Sequence, residues 1–386
     1  MSGPLSGLRV LELTAIGPVP FAGAMLADMG ADVVRVDRLP VPGKAPELPP
    51  RYDFYNRNKR SVALNLKSPR TVQALLQMTA RADILLEGYR PGVAERLGLG
   101  PQPCLQVNPR LVYGRMTGWG QDGPLAQEVG HDINYLALTG ALHSIGVPDR
   151  PPVPPLNLVA DLGGGAMFLV VGVLAAAMEA RNSGQGQVVD AAMIDGVVNL
   201  MSAFQAYRQL GTWTAGRTEN IVDGGAPFFG SYETRDGKYV AVGSIEPHFY
   251  AALLDVLGLA GQELPQQNDR AHWPAMRERF AAIFRTRTRD EWVRAMAGRE
   301  VCFAPVLSID EAPLHPQMQA RNVFTRFDEV LHPTPAPRFG RTPSALRRPT
   351  PAAGQHSREV LAEWGIDSVA IDALIDADAM HQAASD

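Results

Sequence analysis

Only two cysteines, Cys104 and Cys302, occur in 386 residues. They are too few and too far apart for a disulfide framework or a zinc cluster, and their scarcity suits a reducing compartment. No metal site is expected. A basic excess is lacking too: 36 Lys and Arg against 40 Asp and Glu leave a formal net charge of -4. A nucleic acid would meet no overall positive field, so none is expected as a partner. The longest apolar run, Ala166 to Met178, is about 13 residues where a bilayer span needs about 20. It predicts a buried helix and no membrane span. The first residues show no basic segment followed by an apolar signal core, and the final Ala-Ser-Asp is not a peroxisomal address. A cytoplasmic location is expected.

Phosphate-binding glycine loops are missing as well. Asp37 ends a predicted second strand, where a dinucleotide enzyme keeps its ribose-binding acid. The turn after the first strand, however, reads Ala15-Ile16-Gly17-Pro18-Val19-Pro20, with prolines where backbone amides should cradle a pyrophosphate. Gly163-Gly164-Gly165 lacks the Lys-Ser/Thr of a phosphate loop. Any phosphate in the ligand must be met by side chains.

What is present is 46% hydrophobic and 20% charged residues, a globular composition, in a length suited to two or three domains of about 100 to 200 residues each. The opening residues alternate β-rich and helical runs: LRVLEL, FAGAMLADMG, DVVRVD, SVALNL, TVQALLQMTARA and DILLEGY. That order predicts βαβ crossovers and a mostly parallel sheet, an α/β fold with its ligand at the carboxyl ends of the strands. Residues 161–181 read as one long buried helix. Val188 to Gln209 continues with helical spacing of Met193, Val197, Leu200 and Phe204. Two β-rich runs about Asp236-Gly237 predict a hairpin, because glycine readily takes a positive φ. A Pro-rich surface connector follows Arg321, then a short helix SREVLAEWG and a frayed Ala-rich end.

Arg38, Arg57, Lys59, Arg60, Lys67, Arg90 and Arg96 are each either a solvated surface cation or part of an anion pocket, since arginine grips phosphate bidentately. Tyr89 and Tyr135 offer a flat face for a base or belong to a core. In Gly130-His131-Asp132-Ile133-Asn134-Tyr135, a flexible glycine precedes a His-Asp pair at a predicted helix start. Histidine exchanges protons near neutrality, and a helix start presents free N–H groups to a developing oxyanion. The alternative is that Asp132 caps the helix and His131 is an ordinary polar residue. Asp161, before three glycines taken as mobile, is either an N-cap or a carboxylate whose proton affinity apolar surroundings raise. Glu246, before Pro247, is a helix-start acid with the same ambiguity.

GHDINYLALTG, PLSGLRVLEL, ADILLEGYRPGVAERLGLG, RPPVPPLNLVADLGGGAMFLVVG, GQGQVVDAAMIDG and YETRDGKYVAVGSIEPHFY together resemble the α-methylacyl-CoA racemases, a branch of the family III CoA-transferases. The likeness runs from about Pro4 to Gly365. It implies a large Rossmann-like CoA-binding domain at 1–190, a helical linker at 191–224, a small α+β domain at 225–309, and a return segment with a C-terminal helix at 310–386 packing on the large domain. It also implies an interlocked homodimer, with each active site drawing on both subunits.

Carried over by motif, His131 and Asp161 are the acid–base pair on opposite faces of the substrate α-carbon. Glu246 hydrogen-bonds the histidine, and the Asp132 backbone N–H meets the thioester oxygen. Tyr135 lies near the CoA arm, while Arg38, Arg57, Lys67, Arg90 and Arg96 surround CoA, with Tyr89 beside them. Two departures stand out: the segment VPGKAPELPPRYDFY after Arg38 is long, and Asn65 stands where Asp is common. The implied reaction interconverts (R)- and (S)-2-methylacyl-CoA thioesters by proton transfer through an enolate, with no cofactor because CoA is part of the substrate. Met167, Met178, Met193 and Met201 are candidates for an adaptable acyl surface. The alternative is CoA transfer between carboxylic acids with Asp161 as nucleophile.

Overall fold

The computed structural model describes residues 3–41, 43 and 48–384. The long segment after Arg38 therefore lies partly outside the described residues. The chain divides into two compact units: Met1–Thr139, Leu156–Leu200 and Asn322–Asp386 in one, Gly140–Pro155 and Met201–Arg321 in the other.

The β-branched runs of the first unit form one sheet. Strands β1 (Arg9–Leu13), β2 (Asp32–Asp37), β3 (Arg60–Leu64), β4 (Ile84–Glu87), β5 (Val112–Thr117) and β6 (Val188–Ala192) run parallel in the order β3-β2-β1-β4-β5-β6. Both faces are covered, as a parallel sheet requires. Leu11, Val34, Val62 and Leu85 turn to one face, where Leu75 and Met78 of helix Pro69–Thr79 meet Val360 and Trp364 of the return segment. On the other face, Gly114 leaves room for Leu169 and Val173 of helix Met167–Ser183.

Inside the sheet Lys59 donates to both Glu12 oxygens at 2.8 and 2.7 Å, to the Pro20 carbonyl at 2.9 Å and to Asn56 Oδ1 at 3.0 Å. Burial raises the pKa of Glu12 and lowers that of Lys59, against their mutual attraction. This pair ties the segment before β3 to β1 and to helix Pro18–Asp28.

Several expectations change. Val188–Gln209 is not continuously helical: Val188–Ala192 is β6, followed by helices Met193–Leu200 and Ser202–Gln209. Pairing with the open edge of β5 overrides local helical spacing. The predicted buried helix is a helical run Leu158–Ser183, 26 residues long and apolar enough by length and composition to cross a membrane. Its Leu169 and Val173 are buried, yet Val171 is 64% and Met178 69% exposed. The end expected to fray carries regular structure among its described residues, while Ser385 and Asp386 lie outside them. Helix Ser368–Asp376 buries Ile371 and Leu374, and Met380–His381 adds an antiparallel strand beside β3.

The second unit is α+β. Strands β7 (Phe229–Glu233) and β8 (Tyr239–Gly243) pair antiparallel around Asp236-Gly237, with Gly237 at φ 69°, and β9 (Phe303–Val306) extends the sheet. Helices Pro247–Val256, Trp273–Phe284 and Arg289–Met296 close a core containing Phe228, Tyr232, Phe280 and Trp292. Residues 140–155 join this unit because the Arg217 guanidinium binds the carbonyls of His143, Val147 and Arg150. The segment expected as a linker, 191–224, is divided between the units after Leu200.

Candidate active site

Strand order reverses at β1, between β2 and β4, the topological position beyond whose carboxyl ends open parallel sheets carry their ligands. The loop after β5 delivers His131, the extended residue (φ -129°, ψ 174°) that begins helix Asp132–Leu138. Its imidazole is exposed, and its N–H donates to Asn134 Oδ1 at 3.0 Å. The Tyr135 ring, 7% exposed, lies edge-on to Trp119 at 4.7 Å. A side chain on Gly130 would strike that ring. Gly130 is needed there for its small size, not for the flexibility inferred from sequence. Tyr135 thus takes the core alternative and supports the loop.

Asp132 does not cap its own helix. Its buried Oδ2 accepts from the N–H groups of both Ala160 and Asp161 at 2.8 Å, and its Oδ1 is buried with no partner among the described residues. Nor is Asp161 an N-cap. It lies within Leu158–Ala166, wound as a wide π-helix, a rare form frequent at functional sites. The glycines after it are not mobile. Gly164 is packed so closely on Val197 and Met193 that a Cβ would clash with backbone.

The Asp161 carboxylate is half-buried, accepts from Asn157 Nδ2 at 3.3 Å, and lies beside Gly17 of the loop after β1. Burial raises its pKa and the Asp132 charge raises it further, while the Asn157 hydrogen bond and nearby His131 pull it down. Its charge also adds to the burial that raises the pKa values of Tyr55 and Tyr135. Tyr55 and Asn157 escaped sequence inspection, because neither belongs to a charge pattern or a periodic face. Tyr55 is held edge-on to Phe21 at 5.2 Å.

Arg38 is exposed just beyond β2, near half-buried Tyr89, whose pKa is raised by burial and lowered in part by that guanidinium. Lys67, Arg90 and Arg96 are exposed on the segments that leave β3 and β4 from the same edge. Arg57 does not join them. It precedes β3, at the opposite edge, and is 7% exposed. There it holds Asp28 at 2.7 Å and the Pro333 carbonyl at 2.9 Å. Glu246 belongs to the second unit, where it is exposed at the start of helix Pro247–Val256. Of the four methionines considered for the acyl surface, Met193 is buried, Met201 half-buried, and Met167 and Met178 exposed.

The residue next to His131 thus binds the backbone of Asp161 through its carboxylate, beside a helix start whose first N–H groups have no intrahelical partner. A model of CoA-transferase family III matches residues 5–357. The alpha-methylacyl-CoA racemase of Mus musculus is 46% identical over 363 residues, covering 94% of this chain and 93% of that protein. That of Homo sapiens is 42% identical over 366 residues, with 94% and 93% covered. A CAIB/BAIF family protein from Brucella suis superimposes with a TM-score of 0.80 at 23% identity, covering 94% of this chain and 100% of that one. At that identity the likeness speaks for the fold alone.

Proposed function

Because this chain belongs to CoA-transferase family III, we propose that it interconverts (R)- and (S)-2-methylacyl-CoA thioesters by moving the α-proton from one face to the other. The observation that carries this reading is the joining of His131 and Asp161 through Asp132. One of the pair removes the α-proton and the other returns a proton to the opposite face of the planar enolate.

A thioester α-proton is far less acidic than either carrier, so the enolate oxygen must be stabilised as it forms. The N–H of Asp132 is suited to that task, and each 1.36 kcal/mol of preferential stabilisation makes deprotonation about tenfold more favourable. Burial and the Asp132 charge raise the proton affinity of Asp161, which suits a group that gives a proton in one direction and takes it in the other. No added cofactor is required by proton transfer, with CoA as part of the substrate. Arg38, Lys67, Arg90 and Arg96 suit its phosphates, and Tyr89 its base.

The exposed apolar side chains Phe168, Val171 and Met178 suit burial in a homodimer, interlocked as the family resemblance implies. Sedimentation as a monomer at working concentration would remove this part of the reading. The free thiol of Cys302 at the surface suits the cytoplasm, and quantitative disulfide formation in freshly isolated protein would argue against that location.

The test is incubation of one 2-methylacyl-CoA enantiomer in heavy water without an acceptor acid. Deuterium uptake with loss of optical purity is expected. Exchange of CoA that requires an added carboxylate, with an adduct on Asp161, would replace the racemase by a transferase.

A further inference from the structure

The resemblance gives Asp132 a task for its backbone N–H and none for its carboxylate. That carboxylate is 7% exposed, and a single oxygen accepts two backbone N–H groups from a segment 28 and 29 residues further along the chain. One of those N–H groups belongs to Asp161 itself. The Leu158–Ala166 turn is packed through Gly164 on helix Met193–Leu200, and the Asp132 oxygen adds a second fixed point at Asp161 itself, from the helix that begins at His131, through a charge-assisted hydrogen bond.

We propose that the Asp132 carboxylate is a positioning residue: it pins the turn that carries Asp161 to the helix that begins at His131, and so sets the spacing of the two proton carriers. The inference rests on the racemase reading and deepens it. Loss of the carboxylate frees the turn and misplaces Asp161 while leaving the CoA-facing loops untouched. Removing its charge while keeping an acceptor oxygen retains the spacing and eases ionisation of Asp161, which that charge now disfavours.

The titratable groups that act on Asp161 electrostatically, or are acted on by it, are His131, Asp132, Tyr135 and Tyr55. Of the other charges on the packed elements, Asp28 is paired with Arg57 and Arg115 with Glu87, while Asp190 stands on β6, Asp195 on helix Met193–Leu200, and Glu179 and Arg181 on helix Met167–Ser183.

The experiment measures α-proton exchange of each 2-methylacyl-CoA enantiomer across pH in wild type, Asp132→Ala and Asp132→Asn. If wild type exchanges neither enantiomer, the racemase reading itself fails. Given exchange by wild type, Asp132→Ala is expected to lose about 10²-fold in kcat with KM within roughly threefold. Asp132→Asn, whose amide oxygen still accepts both N–H groups, is expected to recover to within roughly tenfold of wild type. The enantiomer that still exchanges in His131→Ala identifies the pH limb of Asp161, and this limb moves to lower pH in Asp132→Asn. Wild-type kcat in Asp132→Ala, an Asn variant no better than Ala, or an unmoved limb would each overturn the inference. If Asp132→Ala does not fold, the limb in Asp132→Asn decides alone.

Discussion

The Tyr135 hydroxyl donates to the Gly130 carbonyl oxygen at 2.6 Å, so the residue before His131 hangs from the helix that follows it. Tyr135→Phe removes this bond, keeps the ring on Trp119, and leaves the Gly130 carbonyl without that donor. A stability loss of about 0.5–1.5 kcal/mol is expected in urea melts, together with a fall in kcat that exceeds any change in KM. Unchanged turnover in a destabilised variant would make Tyr135 a purely structural residue.

His131→Ala is expected to lower racemisation by about 10²- to 10⁴-fold, the scale for losing a general acid–base. The two single variants should differ by face. His131→Ala retains α-proton exchange with one enantiomer and Asp161→Ala with the other, because each remaining carrier still serves its own side. Retention of the same enantiomer by both would place the two carriers on one face of the substrate.

Asp161 makes a prediction about stability and pH. Its folded pKa is raised, so between the unfolded value, about 3.9, and that raised value the folded state binds more protons than the unfolded chain. Stability therefore falls as pH rises through this window, and the deficit persists above it. Asp161→Asn is expected to melt higher than wild type at neutral pH, with the difference vanishing below the unfolded pKa. A variant that is less stable at neutral pH would show that the ionised carboxylate is held favourably.

Arg38 and Arg57, alike as sequence candidates, should separate cleanly. Arg38→Ala is expected to raise KM for acyl-CoA by roughly 10- to 100-fold, the equivalent of one charge-assisted hydrogen bond, with little change in melting. Arg57→Ala strips a buried carboxylate of its ion-pair partner, although Asn58 still donates to Asp28 at 2.6 Å. About 3 kcal/mol of stability should be lost, with KM unchanged. Equal KM effects would return Arg57 to the ligand site.

Legibility in the sequence followed the range of the interactions. The runs around β1, β2 and β4 and the Asp236-Gly237 hairpin were readable because each follows from local side-chain pattern and turn chemistry. β6 was not, since Val188–Ala192 is a strand by virtue of the β5 edge it meets. The terminal strand Met380–His381 likewise exists through β3, over three hundred residues away in a chain of 386. At the site, His131 and Asp161 were found as residue types in motifs that resemble a family, whereas Glu246, found in the same way, lies in the second unit. Tyr55 and Asn157 were not, because an isolated aromatic or amide carries no mark of what it will face.

The amino-acid order by itself determined an α/β chain with a carboxyl-edge crevice, no phosphate loop, and a histidine and an aspartate able to carry protons. These follow from alternation, composition and the ordinary chemistry of side chains. Only the tertiary structure decided that Asp132 reaches across to the backbone of Asp161 and that Arg57 is bound to Asp28 at the far edge. Burial and hydrogen-bond partnership are set by which distant segments meet, and a linear pattern does not encode that meeting.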